Sequence, residues 1–130
     1  MKFTADQRKR WALAQERSRL NDLPGTLEIL SKLVAEAPES AGLNATYANT
    51  LKEVGETAPA IEHFKRAVKL APTVELYSLG LFHIYWAQGM QDEAFTEMRR
   101  FMASSDSADY REIVAEINSK WPNGTQLTRY

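Results

Sequence analysis

An all-α chain is predicted, an α-solenoid of three stacked helical hairpins closed by a C-terminal capping helix. Three observations carry this. Apolar residues recur three and four apart along the chain, while β-branched pairs are too short for strands. A pattern repeats at an interval of 34 residues: Pro38 with Pro72, Gly55 with Gly89, Ala60 with Ala94. Phe64 likewise maps on Met98 and back on Leu30, and Ala67 on Phe101 and back on Leu33. A fixed period of that length means one supersecondary unit built repeatedly and stacked. The last periodic segment has one apolar and one charged face, which is how a solenoid covers its open end.

The first helix is expected to start at Thr4, whose hydroxyl and Gln7 have capping-box spacing. Trp11, Leu13, Ala14 and Leu20 are its apolar positions, and Asn21-Asp22-Leu23-Pro24-Gly25 breaks it. The second helix covers residues 26–36, with Leu27, Leu30, Leu33 and Val34 on one buried face and Pro38 after its end. The third begins near Ser40 and carries Leu43, Tyr47, Leu51 and Val54, with Gly55 as its left-handed C-terminal residue. Thr57 is the expected cap of the fourth, with Pro59 in the first turn, where a missing N–H does no harm. Ala60, Ile61, Phe64, Ala67 and Val68 face inward there, and Lys65, Arg66 and Lys69 sit toward the C-terminal half, where the helix dipole favours cations.

Thr73 is the expected cap of the fifth helix, residues 74–88, which is apolar almost all round: Leu76, Tyr77, Leu79, Leu81, Phe82, Ile84, Tyr85 and Trp86. Such a helix either lies central in the stack or offers an apolar patch to something else. Gly89 ends it. Asp92 is the expected cap of the sixth helix, with Ala94, Phe95, Met98, Phe101 and Met102 inside. Residues 104–107 link to the seventh helix, residues 108–120, whose stripe is Tyr110, Ile113, Val114 and Ile117. Trp121-Pro122-Asn123-Gly124 stops it, and residues 122–130 read as a loose tail.

With 130 residues, 44% hydrophobic and 25% charged, the chain is the size and composition of one soluble domain. The expected domain is 1–121. No apolar run is long enough to span a membrane. The N-terminus lacks an apolar signal core, so a secreted form would need a further leader. Zero cysteines exclude disulfides, thiolate metal sites and thiol nucleophiles, and suit a cytoplasmic setting. Neither a phosphate-cradling glycine loop nor a nucleophile elbow occurs. His63, beside Glu62, reads as solvated, and Glu53 with Glu56, or Asp92 with Glu93, as surface and capping residues. No catalysis, metal or cofactor is expected. Charge is uneven: residues 1–20 carry a balance of +4 and residues 21–60 a balance of -4. The overall charge of -1 argues against nucleic acid.

Tyr47-Ala48, Leu51, Gly55, Ala60, Phe64, Ala67 and Pro72 in order resemble the tetratricopeptide-repeat family, whose motif places small, aromatic, Gly and Pro residues at these intervals. The repeats are about 7–40, 41–74 and 75–108. The third keeps Leu81, Tyr85, Gly89 and Ala94, with bulky Phe82, Met98 and Phe101 at other motif positions. The first keeps Leu13-Ala14, Leu30, Leu33 and Pro38, while Arg17, Asn21 and Thr26 depart. Arg10, Asn44 and Ser78 stand where the family carries an early aromatic.

The resemblance implies that first helices line a concave groove and second helices the convex side. Its lining would be Arg8, Trp11, Gln15 and Arg19, then Ala45, Asn49 and Lys52, then Leu79, His83 and Trp86. That groove would be basic at one end and apolar at the other, fit for a peptide or partner protein with an acidic part and an apolar anchor. Trp11 could equally cover the open N-terminal end, and His83 could be an ordinary half-buried residue. The family's chaperone-binding members grip a terminal carboxylate with cations and asparagines. Here those places hold Trp11, Gln15, Asn49 or Thr46, Leu76 and Gly80, too few cations for that ligand. The leading expectation is a non-catalytic adaptor. The rival is a homodimer built on the apolar fifth helix. A third reading, the three-repeat chaperones of bacterial secretion substrates, has against it the absence of their longer N-terminal extension.

Overall fold

In a computed structural model that describes residues 3–120, seven α-helices follow one another: α1 Ala5–Arg19, α2 Leu23–Glu36, α3 Ala41–Glu53, α4 Thr57–Leu70, α5 Glu75–Ala87, α6 Gln91–Met102 and α7 Ala108–Lys120. The segment read as a tail lies outside the described residues. Each odd helix packs on the even one that follows, and successive pairs stack α2 on α3 and α4 on α5. The second helices start at Leu23, Thr57 and Gln91, each 34 residues after the last. Among the described residues no helix is long and apolar enough to cross a membrane.

The period is written in the hairpin turns. Asn21, Gly55 and Gly89 all have positive φ, 61°, 85° and 73°. After each, the next amide reaches five residues back: Asp22 N to Arg17 O at 2.8 Å, Glu56 N to Leu51 O and Met90 N to Tyr85 O at 2.9 Å. This is a Schellman closure made three times, and it satisfies the carbonyls a helix end leaves free. Asn21, which breaks the motif in sequence, does the glycine's work, since asparagine tolerates the left-handed region better than most residues.

The capping box at Thr4 forms, with Gln7 N to Thr4 Oγ1 and Thr4 N to Gln7 Oε1 both at 3.0 Å. Ser40 and Ser107 also cap, accepting from Leu43 N and Tyr110 N. Helix α2 begins three residues before the predicted start: Asp22 caps it by accepting from Gly25 N, and Pro24 sits in the first turn. Thr57, Thr73 and Asp92 do not cap their helices. The turns put Glu56, Val74 and Met90 at the cap positions, so each predicted residue is displaced from the place where its oxygen could accept.

The core falls into two parts. Ala14, Leu30, Leu33, Val34, Ala37 and Leu43 bury the first hairpin, and a larger cluster runs from Ala48 to Ile117. Tyr47 packs against both. Leu13 and Leu20, among the apolar positions of α1, are 45% and 61% exposed, and Val54 just after α3 is 37% exposed. Helix α1, the first of the stack, buries only Ala14 fully, with Trp11 packed partly against the same core. Helix α5 packs so closely on Phe64 that a methyl group at Gly80 would fall 2.6 Å from the ring.

The three residues in place of the family's aromatic are polar anchors. Arg10 pairs with Glu36 at 2.6 Å and holds its carboxyl down to about 2. Asn44 is fully buried and donates to the carbonyls of Pro38 and Ser40, while its oxygen faces His63 Nδ1 at 2.9 Å. Ser78, also fully buried, donates to Glu97 Oε2 at 2.6 Å. The Asn44–His63 and Ser78–Glu97 pairs both span 19 residues, so they are one device repeated. In the last repeat it extends outward: Tyr110 lies 2.7 Å from Ser78 Oγ, and Arg100 grips Glu97 from the same helix. That network fixes α7 against the third hairpin. His63 is therefore not solvated as predicted. It is half-buried, edge-on to Tyr47 at 4.7 Å, and burial and Arg66 together lower its pKa.

Candidate functional site

The face built by the first helices holds two clefts. Helix α7 begins about one period after α5 and takes the place of a fourth first helix. The α1–α3 cleft, about 140 Å³, is lined by Trp11, Gln15 and Ser18 of α1 and by Thr46 and Thr50 of α3. Spacings of four and three on α1, and four on α3, bring these side chains to one strip of each helix. Both threonines spend their hydroxyl protons on carbonyls one turn back, Thr46 on Gly42 at 2.8 Å and Thr50 on Thr46 at 3.0 Å. Their oxygens stay available as acceptors. Trp11 stands edge-on to Phe3 at 5.2 Å, and its indole N–H is buried with no partner among the described residues. Gly42 lies beside the cleft, where a methyl would make ordinary contact with the Trp11 ring at 3.6 Å and the Tyr77 hydroxyl at 3.4 Å.

The α5–α7 cleft is larger, about 300 Å³. Phe82, His83 and Trp86 form one wall, and Ile113, Ile117 and the Glu116–Lys120 pair the other. Trp86 stacks on Phe82 at 6.0 Å and meets Phe95 edge-on at 5.7 Å, so it is held in place and only half exposed. Leu76, Leu79, His83 and Trp86 follow i, i+3, i+7 and i+10, one face of α5. Leu79 packs partly into the core, while Leu76 is 73% exposed with no apolar cover.

Of the residues expected in a groove, Trp11 and Gln15 meet at the first cleft and His83 and Trp86 at the second. Asn49 and Lys52 are exposed on α3 outside both. Ala45 is a correction: at 9% exposure it is buried between helices and offers no groove surface. The expected basic end is also corrected. Arg10, Arg17 and Arg19 pair with Glu36, Asp22 and Glu16, and Arg8 donates to the Phe3 carbonyl at 2.6 Å. Those carboxylates lie within reach along α1 and across the first hairpin, so the positive end is largely compensated from inside.

Ser18, Thr50, Phe82 and the α7 side of the second cleft were missed. The four-residue spacing of Thr46 and Thr50, and the period that makes α7 a fourth first helix, were the signals available. Among the described residues no three His, Asp or Glu side chains converge as a metal site.

A two-helix unit stacked three times, turned by a left-handed residue at a 34-residue interval and closed by an extra helix, decides the architecture. The chain has the tetratricopeptide-repeat fold. By sequence alone it matches no family profile and no curated protein. By structure it is similar to MamA, with a TM-score of 0.74 at 16% identity over 88% of this chain. The chain spans 61% and 63% of the length of two MamA structures. It is also similar to a chain of the CopN–Scc3 complex, with a TM-score of 0.76 at 13% identity, covering 91% of this chain and 70% of that one. The first tetratricopeptide-repeat domain of Spaghetti (RPAP3), bound to the HSP90 peptide SRMEEVD, matches with a TM-score of 0.74 at 12% identity, covering 89% and 93%.

Proposed function

We propose that this tetratricopeptide-repeat chain is a non-catalytic binding module that takes an extended segment of a partner protein across its first helices. The observation that carries the reading is the apolar face of α5. Leu76 is 73% exposed, and with Leu79, His83 and Trp86 it leads into the α5–α7 cleft. Burying a leucine of that exposure is worth roughly 1.5–3 kcal/mol. The partner's anchor is a large apolar side chain seated between His83, Trp86 and Ile113. Gln15, Asn49 and Lys52 are polar enough to hold a backbone that has no strand partner.

The positions that grip a terminal carboxylate in chaperone-binding members argue against that ligand here. Gly80 is packed on Phe64, Leu76 is apolar and the Trp11 N–H is shut away, so nothing there compensates the charge. The salt dependence of binding is expected to be modest, since Arg10, Arg17 and Arg19 are already paired with carboxylates and Arg8 is the arginine of α1 without one among the described residues.

The test is selection of peptides from a random display library on the full chain, followed by amide-shift mapping of the best binder. Shifts along α5 and α7, with binding lost in Leu76→Asp, support the module. A mass from light scattering that reads as a dimer for the natural chain and a monomer for Leu76→Asp would replace it with self-association.

A further inference from the structure

We propose that the outer groove between α4 and α6 is a second docking surface, one that takes an amphipathic helix of a partner protein carrying an acidic flank. This face is opposite in construction to the inner clefts, because its lips are second helices and its floor is α5. It encloses about 420 Å³, more than either inner cleft. Leu81 and the Tyr85 ring of α5 make the floor apolar, and Val68 of α4 and Pro72 beyond it add to the apolar lining. Leu70 and Val74, which flank Pro72 along the chain, are 44% and 37% exposed and add apolar surface at its end.

The lips are charged with opposite signs. Lys69 has no ion-pair partner among the described residues, and Lys65 has only a loose one, 3.7 Å from Glu62. Across the groove Glu97 is already committed to Ser78 and Arg100, which leaves Glu93 as the acid of the far lip. The Tyr85 hydroxyl makes no hydrogen bond within the described residues, and burial and the nearby Glu93 keep it protonated as a donor. An occupant with carboxylates toward α4 and a cation or donor toward α6 completes both lips.

A helix suits this groove: the groups left free on its lips are the charged side chains Lys65, Lys69 and Glu93, which meet an occupant's charged side chains, and a helix's own backbone is already satisfied. From Glu93 to Arg100 the lip runs two turns, about 10 Å at 1.5 Å per residue. That length accepts apolar residues at i, i+3 or i+4, and i+7.

The experiment is a random peptide display library panned on the full chain and counter-selected on the Lys65→Glu, Lys69→Glu double variant. Both lysines are exposed, so the variant is expected to keep its helical circular dichroism. The expected result is a class of clones with an i, i+3/i+4, i+7 apolar stripe and Asp or Glu beside it. They lose affinity about tenfold or more on the double variant and are unaffected by Leu76→Asp. Amide shifts on adding such a peptide fall on α4 and α6. Clones that all depend on Leu76 would overturn the outer site while leaving the inner one intact. Clones indifferent to the charge reversal, or none enriched beyond background, would overturn it as well.

Discussion

Gly80→Ala isolates the closest approach in the stack. The added methyl would stand 2.6 Å from Phe64 Cε1 and 3.2 Å from its Cδ1 and Cζ, about 1 Å short of ordinary contact at the nearest atom. Phe64 is 3% exposed, so the ring has little room to turn away. Overpacking of this kind costs about 1–3 kcal/mol. Against it stands the gain of replacing glycine by alanine inside a helix, about 1 kcal/mol. The rigid ring places the steric cost at the upper end, so the net expected change is a loss of about 1–2 kcal/mol. In a Phe64→Leu background the ring edge is gone and only the helix gain remains. There Gly80→Ala is expected to stabilise by up to about 1 kcal/mol. Urea unfolding of the four proteins, followed by far-ultraviolet circular dichroism, gives the coupling directly. Two substitutions that add within about 0.3–0.5 kcal/mol would show that the glycine is not there to admit the ring.

Three further outcomes follow from the turns and the polar anchors. Gly55→Ala and Gly89→Ala each place a side chain at positive φ and are expected to lower stability by about 1–2 kcal/mol, whereas Asn21→Gly should be neutral or slightly stabilising in the same urea experiment. Burial lifts the Tyr110 phenol well above its usual range, more than the Ser78 hydrogen bond lowers it. The unfolded tyrosine therefore releases its proton first, near pH 10, and stability should fall as pH rises beyond that point. Denaturation midpoints at pH 9 and about 11 should differ less in Tyr110→Phe than in the natural chain. Because both amide protons of Asn44 are donated to carbonyls, its oxygen can only accept, so neutral His63 carries its proton on Nδ1. Nitrogen chemical shifts of the imidazole check this, and an Nε2–H tautomer would mean the Asn44 amide is turned over.

The repeat was legible because it rests on backbone requirements. Gly55, Gly89 and the prolines mark where the chain must turn, and small Ala60 and Ala94 mark where helices touch. Such needs leave few residue choices, so they survive in a single sequence. Capping was read less well. Ser40 was in register, but Thr57 and Asp92 were not, because a Schellman turn and not the nearest polar residue decides where the next helix starts. The polar anchors could not be seen at all as pairs. Asn44 and Ser78 looked like losses of an aromatic, His63 read as solvated, and nothing in the sequence singled out Glu97. Only the common 19-residue separation joins them, and it becomes meaningful once the hairpin geometry is known. The site was read by analogy of position, which does not report exposure: Ala45 stands at a groove position and is buried.

Helix α5 draws these threads together. An ordinary surface helix needs one apolar stripe, and the rest of its circumference faces water. This one is used on every side. Ser78, Leu81, Phe82, Ile84 and Tyr85 are buried, and between them they meet α4, α6 and α7. Leu81 and Tyr85 then surface again as the floor of the outer groove, while Phe82 and Trp86 wall the inner cleft. Burial in the stack therefore accounts for most of its composition, and two grooves account for more. What packing alone does not require is Leu76, which sits at the start of the helix almost fully in solvent. A polar residue there would cost the fold nothing. Standing singly it would be an ordinary surface leucine, like Leu20 at 61% exposure; what ties it to the proposed binding is that it continues the Leu79, His83 and Trp86 face of α5, so the proposal is tested by changing that face as a whole.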